Sequence, residues 1–294
     1  LPLREFFDIS NYQPLPNQYK RLPLLHLVVS RGCPYTCSYC SATGVFGRRL
    51  RARSPEKVVE EIEILIDKYG AKDISFWDDA FTTDKKWVAK ICNLIIAKKL
   101  DITWTCYGRV NTVDKDLLKL MKQAGCWNIF FGFESGVQDL LNTVGKKITL
   151  EQIKQVTKWC KEVDIEVRAS FMIALPQETP EMALKTIDFA IELDPDYAQF
   201  CITTPFPGTK LFEDAKKYGN LDLNFDKYNA WQPVFVPNGY KNREEIIDME
   251  RLAVRRFYYR PNYIFKKIKK IRSFEDVKRY MKGLRTVIGF ALSK

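Results

Sequence analysis

Histidine is almost missing: His26 is the only one in 294 residues, and it sits in an apolar run, Leu24-Leu25-His26-Leu27. A structural zinc knob takes four ligands, usually drawn from Cys and His, and this chain has little histidine to give. No run of 18 apolar residues occurs, so no membrane-crossing helix is expected. No secretory signal peptide is visible either, which points to the cytoplasm. The chain opens Leu-Pro without a methionine, as a trimmed chain or the end of something longer would. What is present is an apolar content of 46% with 13% aromatics. That is enough for a sizeable core, in a length suited to one large α/β domain or two small ones.

Of the eight cysteines, three stand together in Arg31-Gly32-Cys33-Pro34-Tyr35-Thr36-Cys37-Ser38-Tyr39-Cys40. An odd trio is not a disulfide framework, and clustered thiols in a chain of this size suit a reducing compartment and a metal site. Thiolates are the usual ligands of iron–sulfur clusters. A [4Fe–4S] cube has four irons, so Cys33, Cys37 and Cys40 would leave one open to a ligand that is not protein. Gly32 and Pro34 favour a tight loop around the first ligand. The other five, Cys92, Cys106, Cys126, Cys160 and Cys201, fall among apolar residues with no ligand-like spacing, and free cysteine is often a small buried hydrophobe.

Periodicity and caps divide the rest. Residues 1–23, rich in Pro, Asn and Gln, read as an arm or linker. Leu24–Ser30 is an apolar strand leading into the cysteine loop, and Ser54-Pro55 opens a helix that Gly70 stops. Strands over 72–77, 102–107, 127–133, 165–174 and 197–203 then alternate with helices over 84–99, 114–124, 149–162, 180–193 and 209–218. Six strand–helix units require parallel strands with right-handed crossovers, two short of an eight-fold barrel. The expected fold class is α/β, a partial (β/α)6 TIM-like barrel with a C-terminal helical extension. Functional groups on such sheets lie at the carboxyl ends of the strands.

The spacing C-x3-C-x2-C with Tyr39 before the last cysteine resembles the signature of the radical S-adenosylmethionine (SAM) superfamily, and the resemblance covers about 24–218. It implies that the open iron holds the amino and carboxylate groups of SAM. It further implies that the reduced cluster cleaves SAM to a 5′-deoxyadenosyl radical, which abstracts hydrogen from substrate. Trp77-Asp78-Asp79 occupies the place of the family's Gly-Gly-Glu segment, so Asp78 and Asp79 are either near the SAM ammonium or part of a solvated acidic turn. Arg109 either clamps a carboxylate or makes a surface salt bridge. Gly132-Phe133-Glu134-Ser135-Gly136 resembles the superfamily's Gly-x-Glu-Ser-Gly segment, which assigns Glu134 and Ser135 to the SAM pocket. Arg168 and Ser170 alternate onto one face of the fifth strand. That strand runs into Ala174-Leu175-Pro176-Gln177-Glu178-Thr179, which resembles Gly-x-Pro-Gly-Glu-Thr with both glycines replaced. Pro205-Phe206-Pro207-Gly208-Thr209 resembles the turn of members with a cobalamin-binding domain.

The resemblance is therefore to the cobalamin subgroup, whose reactions include methylation of unactivated carbon and ring or rearrangement chemistry on lipids, tetrapyrroles and other small molecules. His26 does not fit that subgroup's Asp-x-His-x-x-Gly motif, so a cobalamin domain is expected upstream of Leu1. Implied partners are a small-molecule or lipid substrate and a reducing donor such as flavodoxin or ferredoxin. Beyond residue 218 come an aromatic loop and helices over 243–259, after Pro261 and after Ser273. Residues 241–294 hold 16 Lys/Arg against 6 Asp/Glu, while residues 1–240 hold 31 against 30, so the basic excess lies in the tail. Its interleaved basic and apolar residues suit a solvated helix face packed on the barrel first. A peripheral contact with an anionic membrane comes second, and nucleic acid third. Two other readings stand: a tRNA-modifying methylthiotransferase-like enzyme, and a non-catalytic iron–sulfur or redox protein.

Overall fold

Strand and helix alternate six times because the side-chain period switches between two and 3.6 at each boundary, with a capping side chain at most of them. In the computed structural model, which describes residues 2–12, 14–271 and 274–292, the strands are β1 (Leu24–Leu27), β2 (Asp73–Phe76), β3 (Thr103–Gly108), β4 (Cys126–Glu134), β5 (Glu166–Ile173) and β6 (Tyr197–Ile202). The helices after them are α1 (Pro55–Tyr69), α2 (Lys85–Ala97), α3 (Lys115–Gln123), α4 (Leu150–Glu162), α5 (Pro180–Leu193) and α6 (Lys210–Tyr218). Asp84, Asp114, Thr149, Thr179 and Thr209 each accept a backbone N–H in the first turn of the helix they open. Ser54 precedes α1 without such a bond, and Pro55 alone starts that helix.

All six strands are parallel and lie in chain order, with β1 and β6 as the edges, so the sheet is an open barrel. Ile74, Phe76, Trp104, Ile129, Phe131, Phe133, Phe171 and Phe200 point outward and are fully buried beneath the helices. The alternate positions, among them His26, Trp77, Tyr107, Phe130, Arg168, Ser170, Gln199 and Cys201, line the concave face.

The first strand is shorter than expected. It ends at Leu27, and Ser30–Arg31 instead pairs antiparallel with Arg51–Ala52, which brackets the cysteine loop. The arm is not a free tether. It carries two single-turn helices, Arg4–Phe6 and Ile9–Asn11, and is tied to α1 and to the amino ends of β2 and β3. Arg4 pairs with Glu61 at 2.7 Å, Lys20 N donates to Asp73 at 2.6 Å, and Arg21 grips Asp101 through two 2.7 Å bonds.

Downstream, Gly219–Leu221 and Phe235–Pro237 form a small antiparallel ribbon within the expected loop. Helices α7 (Arg243–Tyr258), α8 (Pro261–Lys269) and α9 (Phe274–Leu292) follow, while Arg272 and Ser273 lie outside the described residues. Helix α7 packs on α5 and on the β6 edge. There the Tyr258 hydroxyl accepts from Ala198 N at 3.1 Å and donates to Ala198 O at 2.7 Å. An exposed strand edge invites pairing with other chains, and this hydroxyl closes part of it. Among the described residues no helix is long and apolar enough to cross a membrane.

Candidate functional site

The cysteine loop leaves β1 at the carboxyl ends of the strands, and its first glycine is obligatory. Gly32 has φ +91°, and a Cβ there would stand 2.2 Å from the Arg49 carbonyl oxygen. The loop is pinned at both ends: Cys33 N donates to Gly47 O at 3.2 Å, Ser38 N to Val144 O at 3.0 Å, and Leu211 N to Ser38 O at 2.8 Å. Cys33, Cys37 and Cys40 are half-buried free thiols. Burial raises the pKa of Cys40 most; the Ala42 N–H opposes this, the charges of Cys37 and Cys33 add to it, and Lys146 pulls the other way. Burial likewise raises Cys33, with Cys37 and Asp79 adding to it. The three sulfurs therefore share one electrostatic neighbourhood.

Among the described residues, no group of three or more His, Cys, Asp or Glu converges on a point where one metal ion would sit. On a cube each thiolate meets a separate iron, so its ligands stand apart. The donor set fits that arrangement: three thiols, and a neighbouring guanidinium to balance their charge. Arg109, buried at the end of β3, directs Nη1 at Cys37 Sγ at 3.6 Å, stacks over Tyr35 at 4.0 Å and is steered by Asn111 through a 2.9 Å bond from Nε. Its Nη2 is buried without a partner, a donor left over for something else.

Glu134 ends β4 in the left-handed region at φ +63°. Its Oε1 accepts from the Tyr39 hydroxyl at 2.8 Å and from Lys146 Nζ at 2.6 Å, and Lys146 also reaches the Tyr39 oxygen at 3.1 Å. Burial, then the Glu134 charge, holds the Tyr39 hydroxyl well above its usual pKa. Gly132 makes room for the pair, since a Cβ there would lie 2.2 Å from Glu134 Oε1 and 2.9 Å from Lys146 Nζ. Lys146 was not anticipated from the sequence. It is one of two lysines in Gly145-Lys146-Lys147, with nothing local to show that one is buried.

The other expected residues are distributed differently. Asp78 Oδ1 accepts from Val29 N at 3.1 Å, from Ser30 N and from Ser30 Oγ at 2.6 Å, so that oxygen braces the chain entering the cysteine loop. Burial raises its carboxyl to about 6, against the Ser30 and Val29 bonds. Asp79 is exposed on the same turn. Ser135 is fully buried, 3.1 Å from Thr186 Oγ1 on α5, and caps Val137 N at 3.0 Å. Ser170 lies half-buried on the concave face beside Gly132 and Gln199. Arg168 stands two residues lower on β5, opposite Phe130, about 7 Å toward the amino end of the strand. The structure thus brings together Cys33, Cys37, Cys40, Tyr39, Arg109 and Glu134. Asp78 and Ser135 support that group from behind, and Arg168 is set apart from it.

A family model described as the radical SAM superfamily matches residues 27–190. An uncharacterized methyltransferase of Pyrococcus horikoshii is 40% identical over 95% of this chain and 61% of its own length. An anaerobic magnesium-protoporphyrin IX monomethyl ester cyclase of Cereibacter sphaeroides is 34% identical over 78% of this chain and 38% of its own. The chain thus spans about half the length of these relatives. In fold it is similar to the radical S-adenosylmethionine methyltransferase TsrM of Kitasatospora setae, solved with cobalamin and a [4Fe–4S] cluster. That likeness has a TM-score of 0.67 at 19% identity, covering 81% of this chain and 52% of the other.

Proposed function

Since the chain belongs to the radical SAM superfamily, we propose that it is the radical-generating part of a cobalamin-associated enzyme that methylates or cyclises a small molecule. The observation that carries this reading is the meeting of the cysteine loop with Arg109 and the Tyr39–Glu134–Lys146 network at the carboxyl ends of the strands. Cys33, Cys37 and Cys40 hold the [4Fe–4S] cluster. When bound and reduced, the cluster supplies the electron that splits SAM and yields the 5′-deoxyadenosyl radical.

The chain's own residues do the rest. The free Nη2 of Arg109 and the ammonium of Lys146 offer donors to the SAM carboxylate, and Glu134 offers an acceptor to its ammonium. Ser170 and the exposed carboxylate of Asp79 line the approach, while Asp78 and Ser135 keep the two loops in register. Methyl transfer and cyclisation are what the relatives' names report, and a lipid, tetrapyrrole or other small molecule suits either. A flavodoxin- or ferredoxin-like donor and a cytoplasmic location complete the proposal. The exposed Ile264, Phe265 and Ile268 of α8 form the peripheral membrane contact, and nucleic acid is the less favoured partner.

Anaerobic reconstitution with iron and sulfide, then reduction with SAM, tests it. 5′-Deoxyadenosine should form, and Cys33→Ala, Cys37→Ala or Cys40→Ala should abolish it together with cluster absorbance. A stable cluster that never cleaves SAM would support the non-catalytic reading instead.

A further inference from the structure

From residue 31 to residue 53 the chain holds five arginines and no Asp, Glu or Lys. Arg53, half-buried, is taken by Glu61. The other four, Arg31, Arg48, Arg49 and Arg51, are exposed, and among the described residues no carboxylate pairs with any of them. On the neighbouring helices the pattern is the reverse: Lys57, Lys90, Lys98 and Lys115 each meet an acid.

The fold gathers these arginines beside the cysteine loop. Arg31 and Arg51 stand directly opposite in the antiparallel ribbon. Like charges in that position repel, and the chain supplies nothing to offset them. Arg51 donates to Phe46 O at 2.8 Å, and the Arg31 guanidinium lies 5.9 Å from the Phe46 ring. The backbone around Arg48 and Arg49 touches the start of the cysteine loop. The Gly47 carbonyl accepts from Cys33 N at 3.2 Å, and the Arg49 carbonyl stands where a Cβ on Gly32 would go. Between the arginines are Val45, 70% exposed, and Phe46, 38% exposed. An apolar centre with a charged rim is the anatomy of a protein-docking patch. Arginine with an aromatic and no lysine is the composition of protein interfaces, whereas lysine serves a polyanion equally well.

We propose that this patch is the docking surface for a small acidic electron-carrier protein, a low-potential flavin or iron–sulfur carrier. The inference rests on the proposed function and deepens it by giving the electron a port of entry. In the encounter one electron passes from the reduced carrier to the cluster, and no bond is made or broken. Electron transfer falls steeply with distance, and the patch is built on the backbone that holds Cys33. Redox encounters need only a small interface, below about 1,200 Å², and opposite charge steers them.

Binding of oxidised flavodoxin to the full chain, before and after reconstitution, is the first readout. Affinity should fall as salt is raised. Arg48→Glu with Arg49→Glu, both at exposed positions, should weaken it by about ten- to a hundredfold. The same change of charge at the opposite end of the barrel, Lys68→Glu with Lys72→Glu, should do little. Val45→Ser should weaken binding by a similar factor at low and high salt. The second readout is the rate at which flavodoxin hydroquinone reduces the reconstituted chain. It should fall with affinity in the arginine variant, while reduction by the methyl viologen radical cation does not. An arginine variant that binds flavodoxin as tightly as wild type would overturn the proposal. Equal weakening by the Lys68 and Lys72 pair would do the same, since net charge alone would then explain the binding. So would a wild type that binds neither flavodoxin nor ferredoxin, whether or not it takes up poly(U) RNA or phosphatidylserine vesicles. 5′-Deoxyadenosine formed with the viologen as donor reads the proposed function separately, so either can fail alone.

Discussion

Replacing Glu178 by glutamine should stabilise the protein at neutral and alkaline pH and leave it almost unchanged in acid. Glu178 is wholly buried in the turn after β5, where Oε1 accepts from Ala174 N at 2.6 Å and from the Tyr240 hydroxyl at 2.6 Å, while Oε2 has no partner. Burial pushes its carboxyl up to about 7 from an ordinary 4.5, against the bonds from Tyr240, Ala174 and Leu175. The folded state thus holds a proton that the unfolded chain releases above pH 4.5. Stability contributed by the neutral carboxyl is complete below that value, declines between 4.5 and 7, and is fully lost above 7. At about 1.4 kcal/mol per pKa unit, the interval between pH 5 and pH 8 is worth about 2.5 kcal/mol.

Glutamine removes the titration and keeps the Oε1 acceptor. Its amide NH2 takes the place of the unpartnered Oε2, a penalty of about 1 kcal/mol that does not vary with pH. Urea unfolding followed by tryptophan fluorescence at pH 5, 6, 7 and 8 reads the difference as a midpoint shift at constant slope. Relative to wild type, Glu178→Gln should gain about 2.5 kcal/mol across that range. A constant offset at all four values would refute the reasoning, because Glu178 would then be ionised in the folded state throughout.

Lys146→Met should cost about 3–5 kcal/mol, since it leaves Glu134 buried without its cation, and thermal melts of the unreconstituted chain would show it. Gly132→Ala should keep iron content near wild type but cut SAM-dependent 5′-deoxyadenosine at least tenfold, because the new methyl displaces Glu134 and Lys146. Unchanged turnover with full iron loading would show that the pair has no part in SAM binding. Gln177→Gly should stabilise by up to about 1 kcal/mol, because Gln177 is held at φ +66°, and a loss in urea would contradict that account.

The succession of strands and helices was legible because each boundary carries its own chemistry: Asp84, Asp114, Thr149, Thr179 and Thr209 announce the helices they cap. The cysteine trio stands out for the same reason, as three thiols fall within eight residues. What could not be read locally is what the fold assembles from distance. Lys146 meets Glu134 only because Gly132 vacates the space between them. Ala174 and Gln177 depart from the glycine pattern, yet they adopt glycine-like φ values of +65° and +66°. The turn keeps its shape at the cost of strain, and the bond from Ala174 N to Glu178 helps to fix it.

Charge shows why a sum over sequence is a poor guide to what a surface offers. The basic tail invites a search for an anionic partner outside the chain, yet several of its cations are already engaged by the barrel. Arg243 pairs with Asp222 at 2.8 Å, Arg256 with Asp188 at 2.7 Å and Arg260 with Asp194 at 3.0 Å. Lys266 pairs with Asp194 too, and Lys270 bridges Glu166 at 2.8 Å and Asp196 at 2.6 Å. Such pairs are individually weak where they are exposed, but together they set the orientation of α7 and α8 along the β6 edge. With Lys266 and Lys270 turned toward the barrel, the outer side of α8 carries Ile264, Phe265 and Ile268, with Lys269 over the Phe265 ring at 4.5 Å. Any contact made there should therefore combine buried apolar area with the charge of Lys269, and vesicle binding by this chain should weaken at high salt without being lost.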